Sequence, residues 1–143
     1  RGDVVMAGYW RNPDATAAAI RDGWLYTGDV GSLDADGFLT LLDRSKDLLI
    51  SGGNNIYPRE VEETLLQHPA VAEVAVIGRP DPEWGHAVEA LVVTLEAAGP
   101  PSLDELRGLV KEQLPAYCAP RHLTLVDALP RSDLGKLRRS HLR

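Results

Sequence analysis

A single stretch, residues 43–63, constrains the fold and function of this chain more than any other. Four of the five residues from Asp43 to Asp47 are charged, and an apolar triplet follows them directly. The pair Gly52-Gly53 comes next, and Pro58 then stands where a helix can begin. A buried strand does not tolerate such a density of charge, and a solvated loop has no need of it. The pattern indicates a place where the backbone pivots while charged side chains hold a ligand.

The composition is that of an ordinary globular protein with a modest negative charge. Of the 143 residues, 44% are hydrophobic and 25% are charged, and the formal net charge is −6. Such a charge argues against binding to nucleic acid or to an anionic membrane surface. No apolar run in the sequence approaches the roughly 20 residues of a membrane-spanning helix. We therefore expect neither a nucleic-acid partner nor a membrane span.

Cysteine and histidine usage bears on compartment and on metals. Cys118 is the only cysteine, so an internal disulfide is excluded and a reducing, cytoplasmic location is predicted. The four histidines have no ligand spacing with that cysteine or with one another, so no metal ligand is assigned. The sequence starts at Arg1 without an initiator methionine, and we expect the chain to be a piece of a longer protein.

The first 45 residues are predicted to form a short helix and a β-hairpin. Asn12-Pro13-Asp14 provides a cap and a first-turn proline for a helix that we expect to run to Ile20. An aromatic-rich segment, Trp24 to Leu33, and an apolar one, Phe38 to Leu42, are separated by the turn-forming residues 34–37. This pattern predicts that the two segments pair as a hairpin.

From about Lys46 onward the pattern predicts the order β-α-β-β-α-β. A helix is predicted from Pro58 to the His68-Pro69 pair, and Ser102 with Glu105 forms a capping box at the start of a second helix. The strands predicted after the first helix are Val71–Gly78, Ala87–Leu95 and His122–Val126, with a turn at residues 79–82 between the first two. The predicted fold class is therefore α+β, a small, mostly antiparallel sheet with flanking helices.

Three short motifs carry side chains suited to chemistry: Tyr26-Thr27-Gly28-Asp29, Arg44-Ser45-Lys46, and residues 130–136, which end in Gly135-Lys136. Taken singly, each has an ordinary interpretation, namely a turn aspartate, a solvated charged face and a frayed chain end. A phosphate-binding P-loop is excluded at Lys136, because Leu137 follows the lysine where Ser or Thr is required.

Taken together, in this order and spacing, the three motifs resemble those of the adenylate-forming enzymes, which include acyl-CoA synthetases, adenylation domains of peptide synthetases and luciferases. The resemblance covers essentially the whole chain, as the C-terminal third of such an enzyme. It implies that residues 1–45 end the large N-terminal domain, with the hairpin as a remnant of it. Residues 46–143 would be the mobile C-terminal lid domain, and the missing N-terminal domain would be its partner.

The resemblance also implies roles in the first half-reaction. Tyr26 and Asp29 would contact the nucleotide, with Asp29 accepting hydrogen bonds from the ribose hydroxyls of ATP. Arg44 would hold the ribose and phosphate by charge-assisted bonds. Lys46 falls at the hinge position of the family. Lys136 would be the catalytic lysine, whose cation stabilises the charge that develops as a carboxylate attacks the α-phosphate of Mg-ATP.

For the second half-reaction, the resemblance implies that the lid rotates and that Gly52-Gly53 lines the tunnel for the pantetheine thiol of CoA. Trp84 and Tyr117 fall where related ligases place aromatic side chains against the CoA adenine. Packing of Trp84 in the lid's own core is the alternative. Many relatives carry a basic residue just after the position of Tyr117, where this chain has Cys118, and Arg121 could substitute for it.

The implied function is that of an ATP-dependent acyl-CoA synthetase, which forms acyl-AMP and then transfers the acyl group to CoA. The phosphate loop and acyl pocket of the family lie in the N-terminal domain, so this chain alone is expected to be inactive. For the same reason its carboxylic acid, whether a fatty acid, malonate or an aryl acid, is not specified. Residues 50–62 favour an acyl-CoA synthetase over the alternative, an adenylation domain that loads a carrier protein.

A second hypothesis concerns regulation. The context from Pro130 to Lys136 resembles the one in which bacterial acetyltransferases modify the catalytic lysine of acyl-CoA synthetases, and acetylation would remove its charge. Five cations make the tail basic within an acidic chain and could guide such an enzyme: Arg131, Lys136, Arg138, Arg139 and Arg143. The alternatives are that these cations are simply solvated and that the chain is a non-catalytic interaction module.

Overall fold

The computed structural model describes residues 1–95 and 99–142. The chain divides into two compact units, Arg1–Lys46 and Asp47–Arg143, which we call the N-terminal unit and the C-terminal unit and describe separately. The division falls inside the charged run with which residues 43–63 begin. Within the described ranges, no helix combines the length and the hydrophobicity needed to cross a membrane.

The N-terminal unit begins with a helix and a very short hairpin. Helix α1, Pro13–Ala19, is capped by Asn12, whose Oδ1 accepts a hydrogen bond from Ala15 N at 3.0 Å. The proline in the first turn costs no hydrogen bond there, because the first N–H groups of a helix have no partner within it. Strand β1, Ile20–Arg21, then pairs with β2, Trp24–Leu25. The predicted helix is confirmed, with its end one residue earlier than expected.

A second hairpin completes this unit. Strand β3, Asp29–Leu33, pairs antiparallel with β4, Leu39–Arg44, which confirms the predicted hairpin. The prediction of one continuous segment from residue 24 to residue 33 is wrong, because three residues separate β2 from β3. Gly28 adopts a φ of +76° in this gap, a value that no extended strand contains.

In its described residues, the C-terminal unit has a five-stranded sheet, two α-helices and two short 3-10 helices, Ala116–Cys118 and Arg139–His141. Its elements are β5, Leu49–Ser51; β6, Asn54–Ile56; α2, Pro58–Leu65; β7, Val71–Asp81; β8, Gly85–Thr94; α3, Leu103–Gln113; and β9, His122–Leu125. The strand order is β6-β5-β8-β7, with β9 also beside β8. The pairings of β5 with β6 and of β8 with β5 and β7 are antiparallel, whereas β9 runs parallel to β8. The predicted α+β class is confirmed.

The predicted order had one strand before α2, whereas the structure has two. Ser51 on β5 pairs with Asn54 on β6 across a two-residue turn. The turn consists of Gly52, with a φ of +55°, and Gly53, with a φ of +80°. Positive φ at both positions is the type I′ geometry of tight hairpins, which glycine adopts without steric cost. The glycine pair is therefore a hairpin turn.

The turn predicted at residues 79–82 lies further along the chain, because β7 continues through Asp81. Strand β7 is at the edge of the described sheet, where Pro80 does not interrupt a ladder with its missing N–H. Asp81 closes the turn, since its Oδ1 accepts hydrogen bonds from the N–H groups of Glu83 and Trp84, each at 2.9 Å. This side chain therefore fixes the backbone from which Trp84 projects.

Two hydrophobic clusters cover the two faces of the sheet. Successive residues of β7 alternate between them: Val74 and Val76 belong to the larger cluster, and Ala75 and Ile77 to the smaller one. The larger cluster includes buried apolar residues of both α2 and α3. The smaller is completed by residues of the C-terminal segment: Val126, Leu129, Leu137 and Leu142. The helices thus cover one face, and the C-terminal segment crosses the other.

Helix α3 has the predicted capping box. Ser102 Oγ accepts a hydrogen bond from Glu105 N at 3.2 Å, and Glu105 Oε2 accepts one from Ser102 N at 2.7 Å. These two bonds satisfy N–H groups that have no partner within the helix. The hydrogen bond from the Ser102 backbone N–H, and to a smaller extent the one from its hydroxyl, also lowers the pKa of Glu105 below its ordinary value. The start of this helix was therefore predicted correctly from a local pattern.

Candidate functional site

Asp29 and Arg44 occupy facing positions at the end of the β3–β4 hairpin. They are paired in the antiparallel register, and Arg44 Nε lies 3.2 Å from Asp29 Oδ1. Both side chains retain solvent access, although the aspartate is the more covered of the two. A carboxylate beside a guanidinium offers acceptors for hydroxyl groups and donors for phosphate oxygens. The structure therefore brings together two residues that the sequence assigned to nucleotide binding.

The turn before β3 fixes where Asp29 lies. The carbonyl of Gly28 accepts hydrogen bonds from Ser45 N at 2.8 Å and from Ser45 Oγ at 3.1 Å. Asp29 N donates to Thr27 Oγ1 at 3.2 Å. Two of the three predicted motifs, which lie about 17 positions apart, are thus joined by backbone as well as side-chain bonds. This arrangement holds the motifs at one end of the hairpin.

An open cavity of about 600 Å³ borders this end of the hairpin. Tyr26, Asp29 and Ser45 line it together with Arg21. The guanidinium of Arg21 lies over the Tyr26 ring, 4.8 Å from its centroid, in a cation–π contact. Two predicted nucleotide contacts therefore line one cavity. Arg21 was not singled out in the sequence, where it is one exposed arginine among several.

The Gly52-Gly53 turn packs against Trp84. Gly52 N donates a hydrogen bond to Trp84 O at 2.9 Å. A Cβ atom on Gly52 would lie 2.6 Å from Cε3 of the indole, closer than side-chain atoms approach one another. At Gly53 a Cβ atom would meet nothing within 4 Å. The first glycine is therefore required both by its positive φ and by the approach of the indole, and the second by its φ alone.

Trp84 is partly exposed and carries a cation on its ring. The guanidinium of Arg121 lies 4.3 Å from the centroid of the indole. Hydrogen bonds from Trp84 N and Glu83 N are the chief cause that lowers the pKa of Asp81. The positive charge of Arg121 lowers it further. The Trp84 ring thus packs against the Gly52-Gly53 hairpin and also keeps an accessible surface. Its predicted contact with adenine stays a prediction.

A second open cavity, of about 420 Å³, lies in the C-terminal unit and is lined in part by Arg121, the arginine that covers the Trp84 ring. Tyr117 and Arg121 line it, together with Arg107, His122 and Asp81. A tyrosine ring beside two guanidinium groups suits a ligand that has an aromatic ring and phosphate groups. Sequence reasoning missed Arg107 and His122. The pair Arg121-His122 was a visible signal, but α3 gives no local indication that Arg107 faces the same cavity.

Lys136 lies in a tight turn near the end of the chain. Ser132 N donates to Lys136 O and Gly135 N to Ser132 O, both at 2.8 Å. Arg131 and Leu137 face each other across an antiparallel bridge, and Gly135 has a φ of +77°. The lysine side chain is exposed. The predicted catalytic lysine is therefore carried by an ordered turn and not by a frayed end.

Two of the tail cations are ion-paired, so these two are not simply solvated. Arg131 pairs with Glu73 on β7, and Arg139 pairs with Glu62 on α2. Arg138 is exposed like the lysine, and the predicted tail cation Arg143 lies outside the described residues. The tail consequently presents less free positive charge than its composition suggests.

The predicted site residues fall into separate groups. The N-terminal unit brings Tyr26, Asp29 and Arg44 to one hairpin end, and Lys46, the predicted hinge, lies in the exposed turn that follows β4. The C-terminal unit contains Trp84 and Tyr117 with Arg121 and, in a separate turn of residues 132–136, Lys136. In residues 1–95 and 99–142, no group of three His, Cys, Asp or Glu side chains is arranged to hold a metal ion.

The fold and these motifs define a class of protein. The structure matches that of o-succinylbenzoate CoA synthetase from Bacillus subtilis, solved in complex with its acyl-adenylate intermediate, with a TM-score of 0.90 and 47% sequence identity. The match covers 97% of this chain and 28% of that one. The class is that of the small α+β C-terminal domains of adenylate-forming enzymes.

Sequence comparison identifies the family. The chain is 48% identical to a 2-succinylbenzoate–CoA ligase from Geobacillus kaustophilus, over all of this chain and 29% of the ligase. It is 43% identical to a medium/long-chain-fatty-acid–CoA ligase from Mycobacterium tuberculosis, over 94% of this chain and 25% of that ligase. Residues 60–136 match the AMP-binding enzyme C-terminal domain, and the chain belongs to this family. It spans little more than a quarter of the length of these relatives.

Proposed function

We propose that this chain is the C-terminal part of an ATP-dependent acyl-CoA synthetase. Such an enzyme converts a carboxylate and ATP into acyl-AMP and pyrophosphate, and then transfers the acyl group to the thiol of CoA with release of AMP. The observation that carries the proposal is the identity of 43–48% with CoA ligases across 94–100% of the chain. Because the chain spans only 25–29% of those ligases, the activity is proposed for a longer polypeptide that contains it.

The N-terminal unit supports the proposal of a missing partner domain. None of the residues 1–46 is buried, although the unit has strands and apolar side chains. Leu33 and Phe38, at the tip of the β3–β4 hairpin, are 72% and 73% exposed. Apolar strands that have no core of their own are typical of a fragment that packs on a larger domain. We propose that the larger domain on which these strands pack is the N-terminal domain of the synthetase.

In the proposed adenylation step, Asp29 accepts hydrogen bonds from the ribose hydroxyls, and Arg44 binds the ribose and phosphate. Their ion pair at 3.2 Å supports these roles, because it holds Arg44 against Asp29, which lines the same cavity as Tyr26. Lys136 brings a cation to the α-phosphate as the carboxylate oxygen attacks and pyrophosphate leaves. Magnesium enters with ATP as part of the substrate.

Between the two steps, the proposed lid rotates about Lys46. The boundary between the two compact units, directly after this residue, supports that choice. A hinge needs a few residues that absorb backbone rotation outside regular elements, and Lys46 lies in a turn between β4 and β5. Rotation would withdraw Lys136 and bring the Gly52-Gly53 hairpin to the acyl-AMP.

In the proposed thioester-forming step, Gly52-Gly53 lines the path of the pantetheine thiol, and Trp84 with Tyr117 contacts the CoA adenine. The cations of Arg121 and Arg107 at the second cavity support binding of the CoA phosphates. Many relatives carry a basic residue just after the position of Tyr117, where this chain has the uncharged Cys118. We propose that these two arginines supply that positive charge instead.

The substitution Lys136→Ala in the longer polypeptide tests the proposal. We expect a loss of acyl-AMP formation on the order of a hundredfold or more, because a positioned cation is removed from a phosphoryl-transfer site. Transfer to CoA from supplied acyl-AMP should be unchanged. Equal loss of both half-reactions would contradict the role of Lys136. The 143-residue chain alone should show no ATP–pyrophosphate exchange.

The choice between CoA and a carrier protein as acceptor can be tested on α3. Arg107→Ala should raise the KM for CoA, whereas Lys111→Ala, which removes a cation one helical turn away and outside the cavity, should not. Pantetheine lacks the nucleotide of CoA, so its KM should not respond to either change. An equal response of CoA and pantetheine would instead favour a carrier-loading adenylation enzyme.

We also propose that Lys136 is a target of lysine acetylation. Its exposure supports this, as does Leu134, which is 86% exposed two residues before it and available to a modifying enzyme. Incubation with a protein acetyltransferase and acetyl-CoA, followed by peptide mass spectrometry, should locate the acetyl group on Lys136. The other two lysines, Lys46 and Lys111, are internal controls. Modification of these in place of Lys136 would exclude the proposal.

A further inference from the structure

We propose that Arg131 is a positioning residue that holds Lys136 in place for adenylation; this inference rests on the proposed function. Arg131 spans two elements with one guanidinium. Its Nη1 donates to Gly135 O at 2.8 Å, and its Nη2 pairs with the carboxylate of Glu73 on β7. Gly135 directly precedes the lysine. The arginine therefore connects the peptide group next to Lys136 to a strand of the sheet.

The other side of Lys136 is anchored by packing. Leu137, which directly follows the lysine, packs against the smaller hydrophobic cluster on the sheet, whose buried members are Ala75, Ile77, Leu91 and Leu129. The bridge between Arg131 and Leu137 closes the turn. Both neighbours of Lys136 are thus anchored, Gly135 through the arginine to β7 and Leu137 through its apolar side chain to the smaller cluster. The backbone of the lysine is held although its side chain is exposed.

Such anchoring matters for this chemistry because phosphoryl transfer depends on placement. A lysine is a point charge on a flexible four-carbon stem, so the place it can reach is set by where its backbone is held. Displacement of a catalytic group by about 1 Å can cost on the order of a hundredfold in rate. A fixed turn therefore limits the region in which the ammonium group meets the α-phosphate.

The contribution of Arg131 to global stability should be small. The side chains of Arg131 and Glu73 are 47% and 42% exposed, and ion pairs with such exposure contribute about 1 kcal/mol or less. If Arg131 served only to stabilise the fold, its removal would therefore have a weak effect on stability and on both half-reactions. A positioning role predicts a large effect on one half-reaction and almost none on stability, and the two can be separated.

The test compares Arg131→Gln with Arg138→Gln in the longer polypeptide. Arg138 is a suitable control because it is an exposed cation two residues beyond the lysine, and the structure places no side-chain hydrogen bond on it within the described ranges. For Arg131→Gln we expect kcat of acyl-AMP formation to fall on the order of tenfold to a hundredfold. Acyl transfer from supplied acyl-AMP and the Tm should stay near those of the parent. Arg138→Gln should change neither half-reaction by more than about twofold.

A second measurement on the 143-residue chain does not depend on the reaction. Amide hydrogen exchange at Ser132 and Gly135, which donate the bonds of the turn, should accelerate in Arg131→Gln and in Glu73→Gln but not in Arg138→Gln. Unchanged exchange and unchanged adenylation in Arg131→Gln, or equal losses in both half-reactions, would overturn the inference. If Lys136→Ala left adenylation intact while exchange responded as expected, the proposed function would fail and the anchoring would stand.

Discussion

Glu62 on α2 and Arg139 near the C-terminus lie 77 positions apart and form a bidentate ion pair, with both N–O distances at 2.7 Å. Glu62 Oε1 also accepts a hydrogen bond from Val76 N at 2.7 Å, and Arg139 Nη1 donates to Val76 O at 3.0 Å. The two side chains are only 12% and 19% exposed. One network therefore joins a helix, the edge strand β7 and the C-terminal segment.

Neutralising this buried carboxylate should be strongly destabilising. Glu62→Gln removes the carboxylate charge that faces the Arg139 guanidinium in this network, and we expect a loss of about 3 kcal/mol in the free energy of unfolding. Glu63→Gln is the matched control, because Glu63 pairs with Arg59 on the exposed side of the same helix and should cost less than about 1 kcal/mol. Urea denaturation followed by circular dichroism measures both. Similar losses for the two variants would contradict a special role of the buried pair.

The two glycines of the β5–β6 hairpin should respond differently to alanine. Gly53→Ala introduces only the strain of a positive φ, which costs about 1–2 kcal/mol. Gly52→Ala adds a clash with Trp84 to the same strain, so we expect a further loss of about 1–3 kcal/mol. Thermal unfolding of the two variants, each compared with the parent chain, gives the difference. In the longer polypeptide, Gly52→Ala should also slow acyl transfer to CoA more than adenylation.

The buried thiol of Cys118 predicts a loss of stability in alkaline solution. Burial, with a smaller contribution from Glu60, raises the pKa of this thiol from its ordinary 9.0 to about 11. Between these values the unfolded chain loses the thiol proton while the folded chain keeps it, so unfolding becomes more favourable as the pH rises. The stabilisation is complete below pH 9 and is lost as the pH rises through about 11. Denaturant titrations at several pH values should show this decline, and Cys118→Ala should make it shallower.

Asp29 should control nucleotide affinity in the longer polypeptide. Asp29→Asn removes the negative charge and one strong acceptor for the ribose hydroxyls, so we expect the KM for ATP to rise roughly tenfold to a hundredfold. Asp36→Asn makes the same chemical change at an exposed position on the turn of the same hairpin, outside the cavity. Steady-state kinetics with varied ATP compares the two. An equal rise in both variants would indicate an effect of net charge and not of a contact.

The elements that the sequence predicted well are those whose hydrogen bonds close within a few residues. The capping box of Ser102 and Glu105 and the β3–β4 hairpin belong to this group. The strand β6 was missed because the glycine pair was assigned to a tunnel wall, although two adjacent glycines are also a tight-turn signal. The end of β7 was misjudged because Pro80 lies on an edge strand, where proline is tolerated.

The candidate site was predicted in part for a similar reason. The charged motifs around Asp29, Arg44 and Lys136 were visible because their residue types and spacing are distinctive in the chain. Arg107 and the anchor Arg131–Glu73 were not, since each depends on a contact between elements that are far apart in sequence. An arginine on a helix surface looks the same in sequence whether it faces solvent or a cavity.

The sequence by itself determined the α+β class, most of the helices and strands, and the residue types that assign the chain to adenylate-forming enzymes. Only the tertiary structure decided that β9 lies parallel to β8, that Glu62 meets Arg139, and that Arg131 holds the turn of Lys136 to β7. The physical reason is that local patterns encode bonds between near neighbours. The partner of a buried charge is chosen when the whole sheet brings distant segments together.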